Sequence, residues 1–269
     1  MALYDVVNGI YRKVCKKYDS VDGVYRSVKA EYDPVNGVYR RYFSSKSSIP
    51  ASELEVGDSV WLDVGGVPTE FIVVHQGNPR TTDYDGNAFY DESCNGTWLL
   101  MKDIYSKSAL GSGTYPDTTV HAYLNGDFLD LINVKDIIKQ VKIPYSYNTF
   151  MSGSYWPGVK RGENGLLAKV FLLNVLEVSF SPSVSMEDGA RLSYFKGASN
   201  ADRIAYYNGA ATDWWLRGAV HNKANSYGNT VTYTGSSSYA QQGTQNGVRP
   251  AFILNSDTLI DESTHTIIE

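Results

Sequence analysis

The chain has 269 residues, 42% of them hydrophobic, enough to bury a sizeable core in one large or two smaller domains. Its formal net charge of -5 is unevenly spread: residues 1–48 hold nine Lys/Arg against five Asp/Glu, and the remainder holds fifteen against twenty-four. An acidic body excludes nucleic acid as its main partner, because phosphate contacts need a basic face.

Residues 4–42 repeat with a fourteen-residue period. Tyr4-Asp5-Val6-Val7-Asn8-Gly9-Ile10-Tyr11-Arg12 returns from Tyr18 to Arg26 and again from Tyr32 to Arg40, each copy centred on Asn-Gly or Asp-Gly. Those dipeptides accept positive φ at both central positions of a type I′ turn, so each repeat predicts a small β-hairpin and the series predicts a meander. Such a strip buries little alone and needs a partner surface, either the body of the chain or another protein. The linker Ser44-Ser45-Lys46-Ser47-Ser48-Ile49-Pro50 reads as mobile and favours docking. The expected division is therefore a hairpin-repeat docking or oligomerisation module over 1–48 and a ligand-binding domain over 49–269.

From Ser52 the pattern is α+β. Val56–Leu62 and Glu70–His75 flank Gly65-Gly66 as a hairpin, Gly77 to Gly96 is turn-rich, and Thr97–Ile104 suits a strand or a short helix. Asp117-Thr118-Thr119-Val120-His121 predicts a capped helix with Val120, Tyr123, Leu124, Phe128 and Leu131 on one face, and Asn133 predicts a second helix through Val141. Gly165–Leu173 is a dense apolar core element, and residues 189–208 read as short helices and loops. Trp214-Trp215-Leu216-Arg217 and the strand Val248–Leu254 follow, then a closing hairpin of Thr258–Ile260 with Thr266–Ile268. Alternation in a strand would bury one tryptophan of the pair and half-expose the other.

Between those two rigid elements, residues 218–247 carry a single formal charge, Lys223, and are rich in Ser, Thr, Asn, Gln, Gly and Tyr. Tyr offers stiff amphipathic contact area and Ser, Gly and Asn offer adaptable hydrogen bonding, the composition of recognition loops. Tyr227, Tyr233 and Tyr239 recur every six residues, which in extended structure turns all three to one face. A soft polar insert on a stiff scaffold predicts a ligand-binding surface made of His221, Asn222, Asn225, Tyr227, Asn229, Tyr233, Ser237, Tyr239, Gln245 and Asn246. Trp214, Trp215, Arg217 and Arg249 are expected to brace it, since a charge inside an apolar element is costly unless paired.

The ordered set Val56-Gly57-Asp58, Glu70–Val74, Thr97–Met101, His121–Asn125, Val141–Tyr145, Trp214–Arg217 and Gly247–Phe252 resembles a family of phage and prophage proteins of gut bacteria that often begin with Asn-Gly repeats. Trp-Leu-Arg followed after a variable insert by Gly-Val-Arg-Pro is also similar to the C-terminal half of C-type lectin-fold domains. That group includes formylglycine-generating enzymes and the variable proteins diversified by retroelements. The resemblance implies an α+β, C-type lectin-like (formylglycine-generating-enzyme-like) domain preceded by the hairpin module. It implies a virion protein of the phage tail tip, made in the host cytoplasm, whose insert contacts a bacterial cell-surface protein or glycan. Residues 1–48 would then meet other virion proteins, with a homotrimer as the preferred assembly. The chain departs from the enzymes in having no cysteine after Cys94, and from calcium-dependent lectins in lacking Glu-Pro-Asn and Trp-Asn-Asp.

No catalytic, metal or cofactor site is expected. Cys15 and Cys94 stand apart without a disulfide or zinc framework, and the four histidines, His75, His121, His221 and His265, form no ligand pair. His121 reads as structural. No stretch approaches the ~20 apolar residues of a membrane span, and the N-terminus has no cleavable signal. The alternative function is a glycan-cleaving tail hydrolase using two of Glu163, Glu187, Asp202 and Asp213, because glycoside hydrolysis needs two acids about one bond.

Overall fold

The computed structural model describes residues 48–80, 82, 86–181, 188–221 and 223–268, and, as backbone only, the paired strands lying within residues 4–44. The three repeats form hairpins: Tyr4–Val7 pairs with Ile10–Lys13, Lys17–Val21 with Val24–Val28, and Ala30–Val35 with Val38–Ser44. Val7↔Ile10, Val21↔Val24 and Val35↔Val38 close two-residue loops at the Asn-Gly and Asp-Gly sites, whose own residues lie outside the described ones. The continuous meander does not form among the described residues, since each pair of strands is a separate two-stranded sheet.

In the body, β1 (Ser59–Val64) and β2 (Val67–Gln76) form the expected hairpin, and Gly65 and Gly66 take the positive φ values of +63° and +83° that its two-residue turn requires. After them come β3 (Thr97–Met101) and β4 (Ser106–Ser108), helices α1 (Thr119–Leu124) and α2 (Asp127–Leu131), a long hairpin of β5 (Tyr145–Met151) and β6 (Ser154–Lys160), and the short β7 (Val170–Phe171). The C-terminal part supplies β8 (Trp214–Ala219), β9 (Tyr227–Val231), β10 (Ser237–Gln241), β11 (Asn246–Val248) and β12 (Ala251–Leu254). They build two five-stranded sheets, β7-β12-β3-β2-β1 and β4-β11-β8-β9-β10, so the body is α+β with sheet dominant.

The central strands β3, β11 and β12 bury both faces, and this explains residue runs that do not alternate, whereas the edge strands β1 and β10 keep exposed residues. All five residues of β3 are buried: Leu99 and Met101 join one apolar cluster with Phe71, Phe128 and Phe252, while Trp98 and Leu100 join another with Phe171, Leu216 and Ile253. Trp214 and Trp215 follow the same rule. Neither is half-exposed as alternation suggested, for Trp214 belongs to the second cluster and Trp215 to the first. Their indole N–H groups are satisfied by the carbonyls of Arg203 at 3.0 Å and Ser108 at 2.9 Å.

The expected helix from Thr118 is present, with Thr118 Oγ1 accepting from the His121 N–H at 3.2 Å, but it breaks at Asn125-Gly126. Asn125 turns its side chain to β7, accepting from the Lys169 N–H and donating to the Val170 carbonyl at 2.8 Å each. Val120, Leu124 and Phe128 are buried as expected, while Leu131 is 38% exposed. The second helix is corrected to a single turn at Lys135–Ile137. Val134, Ile138 and Val141 have helical spacing, yet Ile138 bridges Leu254 and Val141 pairs with Ala168, so separate neighbours claim them. Gly165–Leu173 likewise is two short strands, Leu166–Ala168 and Val170–Phe171, serving different sheets.

Leu259–Asp261 runs beside Thr266–Ile268 as expected, through the Ile260↔Ile267 bridge. Its other edge pairs with Ser48–Pro50, which corrects the reading of a mobile linker at these three residues. Ile49 packs against the first cluster, and residues 45–47 lie outside the described ones.

Candidate functional site

β8 and β9 pair at Trp214↔Val231 and Trp215↔Thr230 but next at Ala219↔Gly228, so Leu216, Arg217 and Gly218 form a bulge. A bulge re-aims side chains. Gly218 takes φ +97°, and a Cβ there would lie 2.5 Å from Asp188 Oδ2. Arg217 leaves the β9 ladder and bridges Asn174, with its N–H donating to the Leu173 carbonyl at 2.8 Å. Its side chain is fully buried, donating from Nη1 to Glu177 Oε2 at 2.7 Å, from Nη2 to Glu177 Oε1, and from Nε to the Pro144 carbonyl at 3.0 Å. Burial opposes the guanidinium charge, but the Glu177 carboxylate outweighs it and holds the pKa above its ordinary value.

Glu177 is the hub of a wider network. Tyr90 donates its hydroxyl to Oε1 at 2.7 Å, and Asn174 donates its N–H to Oε2 at 2.9 Å. The Asn174 amide in turn donates to the Asp188 carbonyl. Asp188 accepts the Ser146 hydroxyl at 2.6 Å, and Ser146 Oγ accepts the Ala219 N–H at 2.9 Å. The network therefore fixes the backbone on both sides of the bulge.

Above it lies a cleft of about 370 Å³ lined by Val175, Ser181, Asp188, Ala219, Val220, His221, Asn229, Ser237, Ser238 and Tyr239. Burial pushes the Asp188 carboxyl up to about 6, against the Ser146 hydrogen bond and the Arg217 charge. Asp188, Ser181 and Val175 were not among the residues singled out from the sequence. Hydrophobic pattern and motif spacing carry no trace of a carboxylate brought to a sheet from a distant loop.

The structure distributes the expected contact residues. His221, Asn229, Ser237 and Tyr239 line the cleft, and Asn229 donates to the Ala219 carbonyl at 3.0 Å. Tyr227 and Tyr239 meet edge to face across β9 and β10 at 5.9 Å, with Lys223 Nζ 5.7 and 5.3 Å from the two ring centroids. Tyr233 lies in neither of these two strands. It sits 60% exposed in the turn between β9 and β10, its N–H donating to Asp213 Oδ1 at 2.7 Å, so a single face for all three tyrosines is corrected. Gln245 is exposed in a separate turn, whereas Asn246 is buried in β11 opposite Ser108 and is structural. Asn222 lies outside the described residues. The insert thus contains two paired strands, β9 and β10, joined by turns, and is not a soft loop throughout.

Asn225 instead clamps a neighbour. It accepts the Asn148 N–H at 3.2 Å and donates to the Asn148 carbonyl at 2.9 Å, while the Asn148 amide reaches the Val220 and Lys223 carbonyls at 2.7 and 2.8 Å. This ties the β5–β6 hairpin to the insert. Its far end carries Phe150, Met151 and Trp156, which are 61%, 57% and 59% exposed. The signal for it in the sequence was alternation about Ser152-Gly153, both at positive φ.

Arg249 donates to the Met101 and Lys102 carbonyls at 2.8 Å each and lies 4.9 Å over the Trp214 ring; burial lowers its pKa to about 10. The pKa values of His75 and His121 are lowered by burial, and His121 contacts the Asn125 amide at 3.3 Å at the C-terminal end of α1. The Cys94 thiol is buried and pushed up to about 12, donating to the Lys142 carbonyl. Of the four acids weighed for hydrolysis, Asp202 accepts from the Ser199 N–H and hydroxyl, Asp213 holds the Tyr233 turn, Glu163 is exposed in a one-turn 3-10 helix, and Glu187 lies outside the described residues. Among the described residues no group of three or more His, Cys, Asp or Glu could hold a metal, and no helix is long and apolar enough to cross a membrane.

The class so defined is a sheet-dominated α+β body with a polar cleft at a bulged strand of its second sheet. Residues 95–256 match the family described as Domain of unknown function (DUF6273), and the chain belongs to that family. The match spans the cleft, the bulge and the whole insert. No curated protein and no solved structure matches the chain.

Proposed function

We propose that this is a non-enzymatic ligand-binding protein, an adhesin of a phage or prophage tail tip, built on a C-type lectin-like domain whose insert meets a bacterial surface protein or glycan. The observation that carries the reading is the cleft. Four of the expected contact residues converge on it, on strands braced by the buried Arg217–Glu177 pair and the Trp214–Arg249 stack. Rigid support beneath adaptable polar groups is the arrangement in which binding loses least entropy. The exposed apolar end of the β5–β6 hairpin, clamped to the insert by Asn225, extends the contact surface. Residues 1–48 dock the protein to the particle.

Cell binding by the full chain tests this. Replacing Tyr233, Ser237, Tyr239 and Gln245 together with alanine should abolish adsorption to target bacteria while leaving the thermal midpoint nearly unchanged. Release of sugars or peptides from bacterial envelopes, lost on Asp202→Asn or Asp213→Asn, would replace the binding reading with the hydrolase.

A further inference from the structure

We infer that the cleft is a site for an organic ammonium group, anchored by the carboxylate of Asp188. This rests on the ligand-binding reading above and adds the chemistry of the ligand's anchoring group.

Asp188 is only 3% exposed, yet it lines the cleft, and among the described residues a single side chain, Ser146, bonds its carboxylate. The nearby cation is already committed: both Nη atoms of Arg217 go to Glu177, which also takes the Tyr90 hydroxyl. Among the described residues neither lysine nor arginine lines the cleft, and Lys223 lies against the rings of Tyr227 and Tyr239. A buried carboxylate whose nearby cation is already paired with another carboxylate is held at a cost that a bound cation lessens.

The remaining lining selects among ligands. An anion would meet Asp188 with no countercharge, and an apolar group would leave the carboxylate uncompensated. A hard metal ion takes roughly six to eight oxygen ligands, and no group of three or more acids and histidines stands among the described residues. An ammonium fits: Ser181, Asn229, Ser237 and Ser238 offer neutral hydrogen-bonding partners to a polar ligand body beside the Asp188 carboxylate. A volume of about 370 Å³ admits a lysine side chain or one amino-sugar ring. Both present the same group.

The groups facing Asp188 also give the pH response. Arg217 and Glu177 lie beneath it, Ser146 bonds it, and His221 shares the cleft wall. Burial pushes its carboxyl up to about 6, so affinity for an ammonium should fall as the pH drops through that value.

Titration calorimetry on the full chain tests the site with Nα-acetyl-lysine amide and D-glucosamine, each against its uncharged counterpart, Nα-acetyl-norleucine amide and N-acetylglucosamine. The expected result is binding of at least one amine roughly tenfold or more tighter than its neutral counterpart, loss on Asp188→Asn, and weakening of wild-type binding below about pH 6. Preference for the lysine or the sugar amine tells a protein ligand from a glycan. Equal binding of charged and neutral compounds, no amine binding at millimolar concentration, or a wild-type affinity independent of pH overturns the site. Should Asp188→Asn fail to fold, the wild-type pH series and the neutral counterparts still decide. Cell adsorption retained by Asp188→Asn but lost in the four-alanine variant would remove the ammonium site and leave the ligand-binding reading intact.

Discussion

Arg217 and Glu177 are both fully buried, and each ion alone would carry several kcal/mol of desolvation cost. Removing one partner strands the other, so Arg217→Ala or Glu177→Ala should each cost about 3–5 kcal/mol in urea unfolding, whereas the double variant Arg217→Ala with Glu177→Ala should cost less than the sum. Additive losses would mean that the pair does not act as a unit. Asp188 behaves oppositely. Its ordinary value is 3.8 and its folded value about 6, so the stability it contributes is fully present below 3.8 and lost as the pH rises through 6. Asp188→Asn should therefore raise the thermal midpoint at pH 7.5 and flatten the stability curve between about pH 4 and 6, a gain on the order of 1–3 kcal/mol. A fold that keeps a destabilising carboxylate in a cleft has the signature of a binding or catalytic position rather than a packing one. An unchanged or lower midpoint would show that Asp188 serves the fold.

At the scale of elements, the insert divides by face rather than by sequence. Tyr233, Ser237, Tyr239 and Gln245 are exposed, and replacing them with alanine should cost at most about 0.5 kcal/mol each. Asn225 differs because it satisfies both backbone groups of Asn148. Asn225→Ala should cost roughly 1–2 kcal/mol and speed hydrogen exchange along β5 and β6; unchanged exchange there would mean that the hairpin needs no clamp. This division was only half legible in the sequence. Local chemistry was readable: Gly65-Gly66 placed the first hairpin, Thr118 capped α1, and the Asn-Gly and Asp-Gly repeats closed their hairpins. Destinations were not. The apolar spacing of Val134, Ile138 and Val141 suits a helix, but Ile138 bridges Leu254 and Val141 pairs with Ala168, so the last two are drawn to different strands. Tyr227, Tyr233 and Tyr239 fit a two-residue period until the turn at Thr232–Ser236 intervenes, held by Gly235 and by Asn200 donating to Ser236 Oγ at 3.0 Å. Asp188 reaches the insert through Asn174 and Ser146, a tertiary meeting that no spacing encodes.

Across the whole molecule, a frame closed by pairing Ser48–Pro50 with Leu259–Asp261 leaves the three repeat hairpins as separate two-stranded sheets with open edges. Light scattering should find the full chain oligomeric and a chain beginning at Ser48 monomeric; monomers in both cases would remove the assembly role of the repeats. The same separation of frame and face bears on how the insert arose. A surface can vary freely only where burial does not hold it, because a core feels a change of even one methylene. If a retroelement diversifies this segment, substitution should fall on the exposed Tyr233, Ser237, Tyr239 and Gln245, with codons carrying adenine in their first two bases. Trp214, Leu216, Arg217, Thr230, Val231, Asn246, Val248 and Arg249, all buried, should stay fixed. Asn225 and Asn246 separate this from simple composition bias: both are Asn, yet one clamps a hairpin and the other is buried in β11, so neither should vary with the exposed set. The gene's surroundings decide the matter. A near-identical adjacent repeat differing only at adenines, beside a reverse transcriptase, is the expected finding; absence of both, or variation that strikes the buried positions as often as the exposed ones, would leave the insert a fixed binding surface.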